Sequence, residues 1–250
     1  MKYKLETIPV WDAFKEDCEC PFCKLQAKAE NRYLKYYLGN SAMNPETRVE
    51  LNKTGFCPEH FSKLLTERSP QHLGLITHTH LQDWMADREK RFPGGGREAD
   101  PAAAEPKKGL FGKKRSAVQR YKNHCDERND ACLICDRIAR TIQRYSFTTC
   151  YLWKRDEEGF REFMKGTKGF CIPHETSLLL MAEEILKSKE QILFFQDVKD
   201  LQMQNFQRLE EEINWFTQKF KAENNSKPWG TSEDAHYRAI QKLSGRMTAH

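Results

Sequence analysis

The chain has 250 residues, 38% of them hydrophobic and 31% charged, with a formal net charge of +5. That length suits one large domain or two small ones, and that balance reads as amphipathic helices rather than a thick buried sheet. No apolar run approaches 18 residues, which argues against a membrane span.

Residues 1–19 carry Ile8, Val10, Trp11 and Phe14, an apolar patch expected to form a short helix or turn. It leads into the knuckle Cys20-Pro21-Phe22-Cys23, and Lys24–Leu38 reads as a helix that Gly39-Asn40 ends. Glu46–Asn52 is expected as a short helix, with Gly55 at its left-handed cap. Pro58 then falls in the first turn of a new helix running to about Glu67, where its missing N–H costs nothing. Ser69-Pro70 reads as an N-cap and first-turn proline, opening a helix to about Phe92. From Pro93 to about Ser116 the chain is glycine, alanine, proline and charge, the composition of a flexible linker.

Val118–Asn129 is predicted as the helix entering a second knuckle, Cys132-Leu133-Ile134-Cys135, and Asp136–Leu152 as the one leaving it. Another helix starts at Pro173. Ser188, with Gln191 three places on, matches a capping box and opens the longest helix, to about Phe220. Along it Phe206, Leu209, Ile213, Phe216 and Phe220 form a seam for a neighbouring helix. Ser232 is expected to cap a last helix through Leu243, stopped by Gly245.

One stretch occurs twice: Gly55-Phe56-Cys57-Pro58-Glu59-His60 and Gly169-Phe170-Cys171-Ile172-Pro173-His174. Each copy follows a Cys-x-x-Cys, with 33 intervening positions in the first half and 35 in the second. Such a repeat points to a duplicated module. Two thiolates from a knuckle, plus a thiolate and an imidazole from a second element, close the tetrahedron that structural zinc takes. The reading is two structural Zn2+ ions, one on Cys20, Cys23, Cys57 and His60, the other on Cys132, Cys135, Cys171 and His174. An iron–sulfur cluster or a redox dithiol are the alternatives. Four protein ligands leave no open position for substrate, which favours a structural over a catalytic ion. Phe56 and Phe170 read as core beside the metal.

The expected architecture is all-α: two tandem helical modules, each stapled by a Cys3His zinc site, plus a long C-terminal helix. Residues 1–92 make the first module, 93–117 the linker, and 118–250 the second module with the C-terminal helices. Nine cysteines and no apolar signal core at Met1–Glu6 point to metal ligands and free thiols in the cytoplasm rather than disulfides. Cys18, Cys125 and Cys150 are left as bystander thiols. His78 and His80 are about 200° apart on a helix and cannot share an ion; with His72 they read as solvated or core histidines.

The two halves, the linker Lys108-Gly109-Leu110-Phe111-Gly112-Lys113-Lys114 and the tail Lys227-Pro228-Trp229-Gly230 resemble a bacterial domain-of-unknown-function family from Gram-positive anaerobes. The resemblance covers nearly the whole chain. It implies a cytoplasmic bacterial protein and brings no activity with it.

No phosphate loop, nucleophile elbow or His-Glu-x-x-His motif is present, so an enzyme is not the favoured class. The favoured function is a non-catalytic, zinc-stapled helical protein that binds a protein partner or regulates one. A second reading is nucleic-acid binding through residues 107–122, which hold seven basic residues and no acidic one. Without them the net charge falls from +5 to −2, so the basicity is local, and a solubilising linker is the favoured reading of it. A third reading is a redox-responsive zinc switch.

Overall fold

The computed structural model describes residues 5–67, 69–93 and 116–246. Among them every regular element is helical: α1 (Thr7–Lys15), α2 (Pro21–Tyr37), α3 (Pro45–Thr54), α4 (Pro58–Thr66), α5 (Pro70–Arg91), α6 (Ala117–Asp130), α7 (Leu133–Arg155), α8 (Phe160–Lys165), α9 (Ile172–Ile185), α10 (Ser188–Gln218) and α11 (Ala235–Ser244), joined in places by short 3-10 turns.

Local chemistry explains most of these boundaries. Asn44 caps α3 by accepting from the Glu46 and Thr47 amides at 2.8 and 3.4 Å, and proline occupies the first turn of α3, α4, α5 and α9. Three caps differ from expectation. Ser69 precedes α5, but its hydroxyl turns to the Leu38 carbonyl (3.3 Å) and His72 Nδ1 (2.8 Å) instead of the helix amides. α10 is capped one position early: the Lys187 amide donates to Glu190 Oε2 at 3.0 Å, while Gln191 donates to the Glu183 and Leu186 carbonyls. Asp234 rather than Ser232 precedes α11.

The chain divides into two compact units that do not run in sequence order. Unit 1 combines residues 1–29 with 138–250, and unit 2 is residues 30–137. The chain passes between them twice, within α2 and within α7. Most of the expected linker, residues 94–115, lies outside the described residues, and α5 and α6 on either side of it both belong to unit 2.

Unit 1 is built on aromatic packing. Phe22 meets Phe14 and Phe170 at ring distances of 6.3 and 5.8 Å, and Trp11 meets Phe160 edge-on at 5.0 Å. Trp153, itself fully buried, meets Phe194 at 5.0 Å and donates its indole N–H to Asp197 at 2.9 Å. The aromatic seam of α10 does find a helix, and it is the chain's own. Phe216 stacks on His236 of α11 at 4.6 Å and packs on Trp229, although Phe220 stays exposed.

Unit 2 has a core of Tyr37, Leu51, Phe56, Leu64, Leu73 and Ile76, all buried. α5 and α6 pair through polar contacts. Arg128 lies over the Trp84 ring at 4.3 Å and reaches Asp83 at 2.9 Å; His124 bonds Asp87, and Arg88 donates to the Tyr121 hydroxyl at 2.8 Å.

Candidate metal centres

Eight cysteine and histidine side chains gather into two groups, each with its donor atoms within 4.8 Å of one another. The membership crosses the repeat. One group is Cys20, Cys23, Cys171 and His174; the other is Cys57, His60, Cys132 and Cys135. Each knuckle thus meets the Cys-x-x-His of the other half, which corrects the expectation that Cys20 and Cys23 join Cys57 and His60. Each group lies wholly inside one unit, the first in unit 1 and the second in unit 2.

Helix geometry supplies the donors. Cys57 and Cys171 are the N-cap residues of α4 and α9, while α2 and α7 begin within their knuckles. Each group therefore sits at two helix N-termini, whose positive ends favour anionic thiolates. Gly55 and Gly169 make the approach, with φ of +70° and +74°. A side chain at either would also collide: a Cβ at Gly55 would lie 2.8 Å from the His80 imidazole, and one at Gly169 would strike the Gln202 amide. Those neighbours hold the loops. Gln202 accepts the Phe170 N–H at 2.7 Å and donates to the Phe170 carbonyl at 3.0 Å, while His80 Nδ1 bonds the Asn52 carbonyl at 2.9 Å.

The spacing of the donors suits a tetrahedral ion. With sulfur at about 2.3 Å and nitrogen at about 2.0–2.1 Å, such an ion separates its ligands by about 3.5–3.8 Å. In the first group His174 Nδ1 lies 3.5, 3.6 and 3.0 Å from the sulfurs of Cys20, Cys23 and Cys171, and Cys23 is 3.7 Å from Cys171. In the second, His60 Nδ1 lies 3.2, 3.3 and 3.3 Å from Cys57, Cys132 and Cys135, and Cys57 is 3.9 Å from Cys135. A disulfide needs sulfurs about 2.05 Å apart, and all nine cysteines are free. Either group could hold a metal ion. Without one, charge gathers unevenly. Hydrogen bonds from Cys135 and His60 hold the Cys132 thiol well below its ordinary value, those from Cys20 and Cys23 do the same for Cys171, and Cys135 and Cys23 move up in turn.

The surroundings differ. Around the second group His60 Nε2 donates to Glu30 at 3.1 Å, and Lys63 holds the same carboxylate oxygen at 2.6 Å. A carboxylate there fixes the imidazole tautomer, leaving Nδ1 free to ligate. Burial opposes the His60 imidazolium, but hydrogen bonds with Cys132, Glu30 and Cys57 raise it to about 10 in the metal-free chain. Around the first group stands Lys242 of α11, a side chain with no exposed surface. Its ammonium donates to the Glu19 carbonyl at 2.8 Å and to the Lys168 carbonyl, the residues just before Cys20 and Gly169. One cation thus ties both ligand-bearing segments together. Burial pushes its pKa down, and the nearby Glu19 carboxylate works against that loss. That carboxylate also takes Arg208 at 2.7 Å and Arg238 at 3.1 Å.

The chain belongs to a family of unknown function (DUF6062). The family matches residues 1–250, so it takes in both repeats and both groups. No curated protein and no solved structure matches the chain.

The remaining candidates stay outside the groups. Cys150 is fully buried against the Leu178 carbonyl, and Cys18 is half-buried with its thiol pushed up to about 11 by burial. Cys125, on α6, is half-buried. In the basic stretch, residues 107–115 lie outside the described residues, and Lys122 pairs with Asp126 on its own helix. No described helix is long and apolar enough to cross a membrane. Glu30 and Lys242 escaped the sequence reading because each meets its group only through the tertiary fold.

Proposed function

We propose that the chain is a non-catalytic helical scaffold held by two structural zinc ions, one on Cys20, Cys23, Cys171 and His174, the other on Cys57, His60, Cys132 and Cys135. The observation that carries the reading is the pair of Cys3His donor sets at tetrahedral spacing. Three thiolates and one imidazole suit zinc and fill all four positions, so neither ion offers a place for substrate or water. When bound, the ions supply cross-linking rather than chemistry. The residues do the rest: the helix N-termini stabilise the thiolates, Glu30 orients His60, and Lys242 holds two backbone carbonyls beside the first set.

A scaffold of this kind works by presenting surface to a protein partner. Ile192, Leu193 and Met203 of α10 are all more than half exposed, which supports that helix as the contact. Elemental analysis of purified protein tests the foundation. Two zinc per chain is the expected result; zinc near zero, or an iron–sulfur absorption band after purification without oxygen, overturns the reading.

A further inference from the structure

The two donor sets share their chemistry and differ in their cover. Cys20, Cys23, Cys171 and His174 are all buried, the last at 7% exposure. α11 packs on α9 and α10, and Gly245 at its end comes so close that a Cβ there would stand 3.9 Å from the Cys171 sulfur. In the other set Cys132 and His60 are buried, but Cys135 is exposed and Cys57 half-exposed. Their sulfurs lie side by side at 3.9 Å. The accessible edge of this set is therefore a pair of cysteines, at the N-cap of α4 and in the first turn of α7.

We propose that Cys135 is a modification site for peroxides, with Cys57 as its resolving partner, so that the second set surrenders its ion while the first keeps its own. The inference rests on the zinc reading above. The Cys135 thiolate attacks one oxygen of the peroxide; the S–O bond forms, the O–O bond breaks, and hydroxide (or alkoxide) leaves. The Cys57 thiolate then attacks the sulfenic sulfur, forming the disulfide and expelling a second hydroxide. Two thiolates lose two electrons in total and the peroxide gains them. Cys132 and His60 remain, and two donors do not hold zinc as four do. Closing the disulfide brings the sulfurs from 3.9 Å to about 2.05 Å. Cys23 and Cys171 stand as near each other, at 3.7 Å, so what separates the two sets is that a peroxide can reach the second and finds the first covered.

The test uses the full-length protein as purified, with its zinc measured first. Hydrogen peroxide is added in steps, released zinc is followed with a chromogenic chelator, and oxidised cysteines are mapped by mass spectrometry of alkylated peptides. The expected result is release of one ion per chain at least tenfold faster than the second, with a Cys57–Cys135 disulfide recovered. A chain that starts without two zinc ions overturns the zinc reading itself. A chain that starts with two overturns this inference alone if both ions leave together, if both stay while Cys18 oxidises, or if Cys20, Cys23 or Cys171 reacts first. A disulfide that omits Cys57 removes its resolving role.

Discussion

The chain carries two Cys3His clusters of the same composition, in two different settings. In unit 1 the cluster lies under α11, with a buried lysine joining the two segments that carry its ligands. In unit 2 the cluster opens to solvent at Cys135, and its histidine leans on Glu30. The contrast shows that ligand identity and spacing decide whether a metal can be held. How tightly and how privately it is held depends on residues the repeat does not share.

The sharpest way to break the comparison is to remove ligands in pairs. Replacing Cys20 and Cys171 together by serine should cost one zinc per chain, whereas replacing Cys20 and Cys57 together should cost both, because that pair strikes both clusters. Pairing within each repeat gives the reverse counts, so elemental analysis of the two double variants decides the matter. The loss of structure should be large. Structural zinc contributes on the order of 10–16 kcal/mol apparent at neutral pH, against about 5–15 kcal/mol of net stability for a whole domain.

Lys242→Met should give the next largest effect. It leaves the Glu19 and Lys168 carbonyls without their donor and takes one of three cations from the buried Glu19 carboxylate. Breaking a buried charge pair in this way costs about 3–5 kcal/mol. Urea unfolding should report that loss in unit 1, while the zinc affinity of the Cys57–Cys135 cluster stays unchanged. A wild-type midpoint for the variant would show that Lys242 is not the clamp its contacts make it.

Glu30→Gln sharpens the contrast from the other side. Removing a carboxylate behind a ligating histidine lowers metal affinity about 10–100-fold. Competition with a chelator should therefore show one weakened site per chain and one of wild-type strength. Equal weakening of both sites counts against the separate settings described above.

Much of the fold was legible because helix ends are local events. Pro58, Pro70 and Pro173 mark first turns, and all three lie where such turns were expected. Gly55 was legible too, as the glycine that ends α3 with a positive φ of +70°; the His80 ring against it was not. All eight metal-ligand candidates were readable from their types and intervals, but their partnership was not. Cys57 and Cys171 present the same chemistry to Cys20, so no local rule separates them. Loop entropy separates them weakly, since each doubling of a loop costs only about 0.6 kcal/mol, and the observed closures span 148 residues for Cys23–Cys171 and 72 for His60–Cys132. What joins each knuckle to its partner is tertiary: Phe22 packs on Phe170 in one unit, and the Leu133 N–H of the second knuckle donates to the Gly55 carbonyl at 3.2 Å in the other. The seam on α10 shows the same limit: its spacing announced a neighbour without naming α11.

The crossed membership has a consequence for how the chain is made. During synthesis the Cys20-Cys23 knuckle emerges first, and the next matching donors to appear are Cys57 and His60, which belong to the other cluster. The rightful partners of those two donors, Cys132 and Cys135, follow some 75 residues later, about 4–15 s at common elongation rates. Throughout that interval a nascent chain carries four donors, Cys20, Cys23, Cys57 and His60, of the right types in the wrong partnership. Any ion that set takes up must change ligands before the fold is complete: the arriving Cys132 and Cys135 claim Cys57 and His60 and leave the first knuckle waiting for Cys171 and His174. On the zinc reading proposed above, zinc supply during translation, and not only to the finished protein, becomes a determinant of yield.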